Sequence, residues 1–230
     1  MSIHVKEYGD KSASLMVFIH GGGVSGWMWE KQISHFQSFH CVVPDLPSHG
    51  ENSDSIVSIG SQILIQILCV RPHLIDFAMI NSALVKQTPF VGLFDKPCSA
   101  FSSFFIKNRT FSKMQGKTLY ISESHFETYY KESCRMSADT LYRILKENMS
   151  FKRPARFSEA SADILVTAGE KERGILKTSA REIGNKNANC RSVMIPGTGH
   201  GAPLAQPELF NEMVEKWFFR GDIPKEWGIK

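Results

Sequence analysis

Several kinds of feature are missing from this 230-residue chain, and each absence removes a class of protein. Its five cysteines, Cys41, Cys69, Cys98, Cys134 and Cys190, are odd in number, widely spaced and form no CxxC pair. That argues against a disulfide framework or a zinc ribbon and points to a reducing, cytoplasmic compartment. No run reaches the roughly 18 apolar residues of a membrane span. The N-terminal MSIHVKEYGDK is charged where a secretory leader is apolar, so a soluble protein with no membrane partner is expected. Charge of one sign is also scarce, with 27 lysines and arginines against 23 aspartates and glutamates, scattered rather than clustered. Such a surface offers no groove for nucleic acid. The eight histidines are dispersed with no HxxEH or comparable histidine–carboxylate set, so no metal is expected. The glycine-rich turn near the N-terminus lacks GxGxxG, which removes the dinucleotides, and no organic cofactor is expected.

Short apolar runs alternating with helix-permissive stretches are what remain. Leu15-Met16-Val17-Phe18-Ile19 reads as a buried parallel strand emptying into His20-Gly21-Gly22-Gly23, and His40-Cys41-Val42-Val43 as a second strand ending at Pro44-Asp45. Between them, 27–39 has Trp29, Ile33 and Phe36 at helical spacing. GSQILIQILCV, Gly60 to Val70, predicts a buried helix stopped before Arg71-Pro72, because proline excludes helical dihedrals from the residue ahead of it. Strands follow at 77–80, 163–168 and 192–195, and the tail from Pro207 to Phe219 has a helical apolar face of Leu209, Phe210, Met213, Val214 and Trp217. This order predicts an α/β fold with a mostly parallel, doubly wound sheet whose ligands collect at the carboxyl ends of the strands.

Residues 86–160 break the alternation and hold nine of the sixteen phenylalanines and four of the five tyrosines, which predicts a helical lobe with an aromatic core. The expected organisation is therefore 1–85 as the first part of the core, 86–160 as an inserted helical cap, and 161–230 as the rest of the core. Only twelve residues, Leu46 to Val57, separate Asp45 from Ser58. A helix of roughly 11 residues and a strand of about 5 cannot both fit there. The strand ahead of Ser58 is therefore shortened or missing.

Four places carry chemistry. Ser58-Ile59-Gly60-Ser61 lies where the chain turns into the apolar helix, a position that exposes a serine hydroxyl beside the amide of Ile59. The His-Gly-Gly-Gly turn can present a second amide, that of Gly22, to a developing oxyanion. His200, in Gly-Thr-Gly-His-Gly past the last strand, can take and return a proton near neutrality. Glu172 is the first choice for the acid that fixes the imidazole, with Glu170 in the same turn as the second.

Taken in order, HGGGVSGWMW, VVPDLPSHGENS, SIGSQ, AGEKE and PGTGHG resemble the successive landmarks of the α/β-hydrolase superfamily and cover most of the chain. The resemblance implies a serine hydrolase acting on a small ester or related acyl compound, with Ser58 as nucleophile, His200 as base and Glu172 as acid. It makes Gly22 and Ile59 the oxyanion hole. It also implies that Asp45 and His49 stabilise a turn, that Trp27 or Trp29 packs beneath the site mouth, and that the cap shapes a pocket for an apolar small-molecule substrate. Ile56 stands where the superfamily's elbow has glycine. That departure and the shortened strand sustain an alternative, a hydrolase-fold protein of impaired catalysis that binds an apolar ligand.

Overall fold

The computed structural model describes residues 3–50, 52, 60–86 and 105–223. Ser58, Ile59 and Ile56 lie outside the described residues, as does 87–104 of the expected cap. The chain gathers into two compact units, one from residues 1–60 and 90–147, the other from 61–89 and 148–230.

The first unit holds a three-stranded sheet of β1 (Val5–Gly9), β2 (Leu15–Val17) and β3 (His40–Pro44), in the order β1-β3-β2. β2 runs parallel to β3, whereas β1 is antiparallel to it. β1 leaves no apolar pattern in the sequence, because all five of its residues are exposed and it has no buried face. Gly9 closes this edge at φ 75°, where a Cβ would strike the Phe39 carbonyl. The run at Leu15 is less buried than its composition suggests: Leu15 and Val17 are 62% and 49% exposed. Among the described residues β2 pairs with β3 alone, and the residue of the run that turns inward is Phe18, which packs on Trp29 and Phe36 at ring-centroid distances of 5.5 and 6.4 Å. The expected helix over 27–39 is split into a 3₁₀ turn, Gly26–Trp29, and a short α1, Glu30–His35.

Three further helices, α3 (Arg109–Thr118), α4 (Glu123–Arg135) and α5 (Ala138–Ser150), occupy the described part of the cap segment. Asn108 and Ser122 cap α3 and α4 by accepting the amides of Phe111 and His125. Met136 and Ile144 pack with Ile106 and Leu141 in a local apolar cluster. Among the described rings of this segment Tyr129 is buried, and Phe126 and Tyr130 stack at 6.0 Å beneath the Arg109 guanidinium.

In the second unit β4 (Phe77–Asn81), β5 (Asp163–Gly169) and β6 (Cys190–Ile195) form a wholly parallel sheet in that order. β5 is central and buried along nearly its whole length, as expected of a strand covered on both faces. The helix α2 (Gly60–Val70) turns Ile65 and Leu68 into a core shared with Ile80, Phe157, Ile164, Val166 and Ile183. Gln66 and Val70 remain on its outer side. α6 (Gly174–Gly184) contributes Ile183, and the short α7 (Ala202–Ala205) precedes α8 (Pro207–Arg220). α8 begins with proline at its first turn and stops at Gly221, φ 65°, the left-handed residue that ends many helices. Among the described residues no helix is long and apolar enough to cross a membrane.

Phe157 is fully buried, and its carbonyl accepts the Asn187 side-chain amide at 2.9 Å. Phe157→Ala is expected to cost about 3–5 kcal/mol, since a cavity adds to the lost burial. Urea unfolding followed by far-UV circular dichroism measures it, and a loss under about 1 kcal/mol would show that the core closes over the gap.

Candidate active site

Parallel register brings three chain ends to one edge of the second unit's sheet. Asn81 of β4 pairs with Thr167, and Gly169 of β5 pairs with Ile195 of β6. Ser82, the turn from Glu170 to Glu172 and the turn from Gly197 to His200 leave the sheet from these ends. The last two turns are joined through their backbones. The Lys171 amide donates to the Thr198 carbonyl at 2.7 Å and the Glu170 amide to the Ile195 carbonyl at 3.0 Å. A Cβ on Gly169 would lie 2.5 and 2.6 Å from the Gly199 and Thr198 carbonyl oxygens, so only glycine permits this approach.

The two acids that sequence alone left open part company here. Glu170 accepts the Gly197 amide at 2.8 Å and so ties its own turn to the next. Glu172 has a wholly buried side chain whose Oε1 lies 3.4 Å from His200 Nδ1 and also accepts the Ser82 hydroxyl. The imidazole is 53% exposed. A buried carboxylate beside Nδ1 favours the tautomer protonated there, which leaves Nε2 with a lone pair for a proton. A dry acid and a wet base can therefore work as a proton-accepting pair.

In the first unit the His-Gly-Gly-Gly turn is fixed by buried imidazoles. His20 Nε2 accepts the Leu46 amide at 2.8 Å and its Nδ1 donates to the Gly21 carbonyl at 2.8 Å, the pattern of a neutral ring. Burial, aided by the neighbouring His49, pushes its pKa down to about 4. His49 Nε2 accepts the Gly23 amide at 3.0 Å while Nδ1 donates to the Pro47 carbonyl, and burial lowers its pKa too. Asp45 accepts the Gly26 amide at 2.9 Å. Asp45 and His49 thus both hold turns, and Gly22, one residue before the Gly23 amide that His49 holds, is exposed, its amide spent on no described residue. Gly60 lies against the His20 carbonyl, where a Cβ would have no room and would also come within 2.9 Å of the Ile19 carbonyl.

Trp29 is buried against Phe18. Trp27 meets the cap instead, stacking on His125 at 5.1 Å and donating to Glu132 at 3.1 Å. The other Glu132 oxygen accepts the Ser25 hydroxyl at 2.7 Å, and burial raises this carboxyl's pKa against the pull of both donors. Sequence reading missed His20, Glu132 and Ser82. His20 stood in a motif read only for its glycines, whereas Glu132 and Ser82 carry no local signal because their partners are 105 and 90 residues away. Among the described residues no group of three or more histidines, cysteines or acids could hold a metal ion.

A family model described as the alpha/beta hydrolase family matches residues 16–77. Comparison with curated protein sequences finds no match. Among solved structures, a hydrolase from Pseudomonas aeruginosa superposes with a TM-score of 0.78 at 14% identity, over 94% of each chain. The carboxylesterase CesB from Bacillus subtilis gives 0.73 at 16% identity, over 96% of this chain and 88% of its own. The enol-lactonase from Burkholderia xenovorans gives 0.76 at 12%, over 94% and 96%.

The depressed pKa of His20 makes the first unit sensitive to acid. An unfolded histidine binds a proton below about pH 6.5, whereas folded His20 refuses it until about pH 4. Its contribution is complete above pH 6.5 and is lost as pH falls toward 4, by up to about 3 kcal/mol. In His20→Gln this loss should shrink by about one proton's worth, with His49 still contributing in the same direction. Denaturant midpoints between pH 7 and 4 measure it, and equal slopes in the two proteins would contradict the assignment.

Proposed function

Because this chain is by fold an α/β-hydrolase-superfamily protein, we propose that it is a serine hydrolase cleaving a small ester or related acyl compound. The observation that carries the reading is the pair of Glu172 and His200, a wholly buried carboxylate 3.4 Å from a half-exposed imidazole at the strand ends. In this mechanism the Ser58 hydroxyl attacks the substrate carbonyl and His200 takes its proton. Glu172 stabilises the imidazolium that forms. The amides of Gly22 and Ile59 bind the negative oxygen. His200 then returns the proton to the leaving alcohol, and water releases the acyl group from Ser58. The exposure of Gly22, whose amide is spent on no described residue, supports its part in this scheme. An esterase and a lactonase are among the structures that share this fold.

A second reading, a hydrolase-fold protein that binds an apolar ligand without turnover, is favoured by the twelve residues between Asp45 and Ser58 and by Ile56 at a glycine position.

A fluorophosphonate separates the two, since it labels an activated serine whatever the substrate. Peptide mapping of the labelled, folded protein is expected to find Ser58 alone, with the labelling rate falling roughly 10²-fold or more in His200→Ala. A folded chain that takes no label would favour the second reading.

A further inference from the structure

Ser82 follows the last residue of β4 with φ 54°, a left-handed conformation that is rare for serine. Such a residue persists only where its surroundings over-determine it. Here they do so from both sides. The Ser82 amide donates to the Thr167 carbonyl at 2.8 Å. The carbonyl of Asn81, one residue earlier, accepts the Ser61 hydroxyl at 2.7 Å, and its side-chain oxygen accepts the Thr167 hydroxyl at 2.9 Å. Thus β5 and the first turn of α2 together clamp the peptide units around position 82.

The clamp sends the Ser82 hydroxyl to Glu172 Oε1, the same oxygen that faces His200 Nδ1. The other oxygen, Oε2, is buried and has no hydrogen-bond partner among the described residues. The His200 contact, at 3.4 Å, lies beyond the usual range for an N–H···O bond. Without Ser82, nothing within ordinary hydrogen-bonding distance among the described side chains would determine which way this carboxylate turns. We propose that Ser82 is a positioning residue of the catalytic site, its hydroxyl aiming Glu172 Oε1 at His200 Nδ1. It acts through Glu172 and needs no contact with substrate. The proposal rests on the hydrolase reading for its effect on rate, but the placement of the imidazole proton can be read without turnover.

The experiment compares wild type, Ser82→Gly, Glu172→Gln and the double variant. Glycine suits φ 54°, so it removes the hydroxyl while leaving the backbone unstrained. If Ser82 served only the fold, Ser82→Gly would keep both readouts below at their wild-type values. The first readout is the ¹⁵N shift pair of the His200 imidazole, which reports its tautomer. The second is the rate of fluorophosphonate labelling. In Ser82→Gly the tautomer is expected to lose its preference for a proton on Nδ1 and the labelling rate to fall roughly tenfold, as for a lost hydrogen bond to a charged group. In the Glu172→Gln background the same change should alter neither readout, because a residue acting through Glu172 has nothing left to act on. Wild-type tautomer and rate in Ser82→Gly would overturn the proposal. If wild type takes no label the hydrolase reading falls, and the tautomer shift alone then decides: present, it upholds Ser82 as the residue that aims Glu172; absent, it overturns it.

Discussion

At Gly169 the backbone of one turn lies where a side chain would otherwise be, against the carbonyls of Thr198 and Gly199. This contact sets the spacing of the loops that leave β5 and β6. With the two backbones this close, Lys171 can donate to Thr198 and Glu170 can reach the Gly197 amide. The same spacing carries Glu172 inward to a fully buried site and leaves His200 at the rim. Had the turns stood one side chain farther apart, the carboxylate and the imidazole would each have met water instead of each other. The meeting of Glu172 with His200 is thus a by-product of backbone packing two or three residues away.

The first unit reaches a comparable result by other means. Its glycine turn has few side chains with which to fix itself, and the fixing is done by two buried imidazoles from neighbouring positions. Each accepts a backbone amide at Nε2 and donates at Nδ1, so each joins one donor to one acceptor. A protonated ring has two donors and no acceptor, so this wiring requires neutral histidines. Burial supplies the neutrality by disfavouring the charged form. Gly22 is left exposed between two anchored neighbours.

How much of this could be read in advance depended on where the relevant information lay along the chain. α2 was legible to the residue, because an apolar run bounded by a proline needs no distant partner to define it. The parallel strands of the second unit were legible to within two residues, β5 being a run with two buried faces and β4 and β6 short runs beside it. β1 was not, since all of its side chains face solvent and its pairing with β3 is written in backbone hydrogen bonds. The rings of the cap segment illustrate a different limit. Composition shows that they are there but not what they touch: among those described, Phe126 and Tyr130 stack under Arg109, while Tyr129 and Phe157 are buried. At the site, Glu172 and His200 were named from their positions after strands. Choosing between Glu170 and Glu172 required the fold, because both lie in the same turn and only packing against the next loop tells them apart.

The ties between the two turns have a consequence for how this sequence can drift. Lys171 and Thr198 meet through an amide and a carbonyl, which every residue but proline can supply on the donor side and every residue on the acceptor side. The exposed Lys171 side chain is free to vary without disturbing this tie, whereas Thr198 is buried with its hydroxyl donating to the Ile195 carbonyl, and Gly169 admits no replacement. An inventory of tolerated substitutions along this edge would therefore single out Gly169, a residue with no reactive group, and pass over Lys171, so that invariance at Gly169 would record the closeness of two backbones and not the presence of a catalyst.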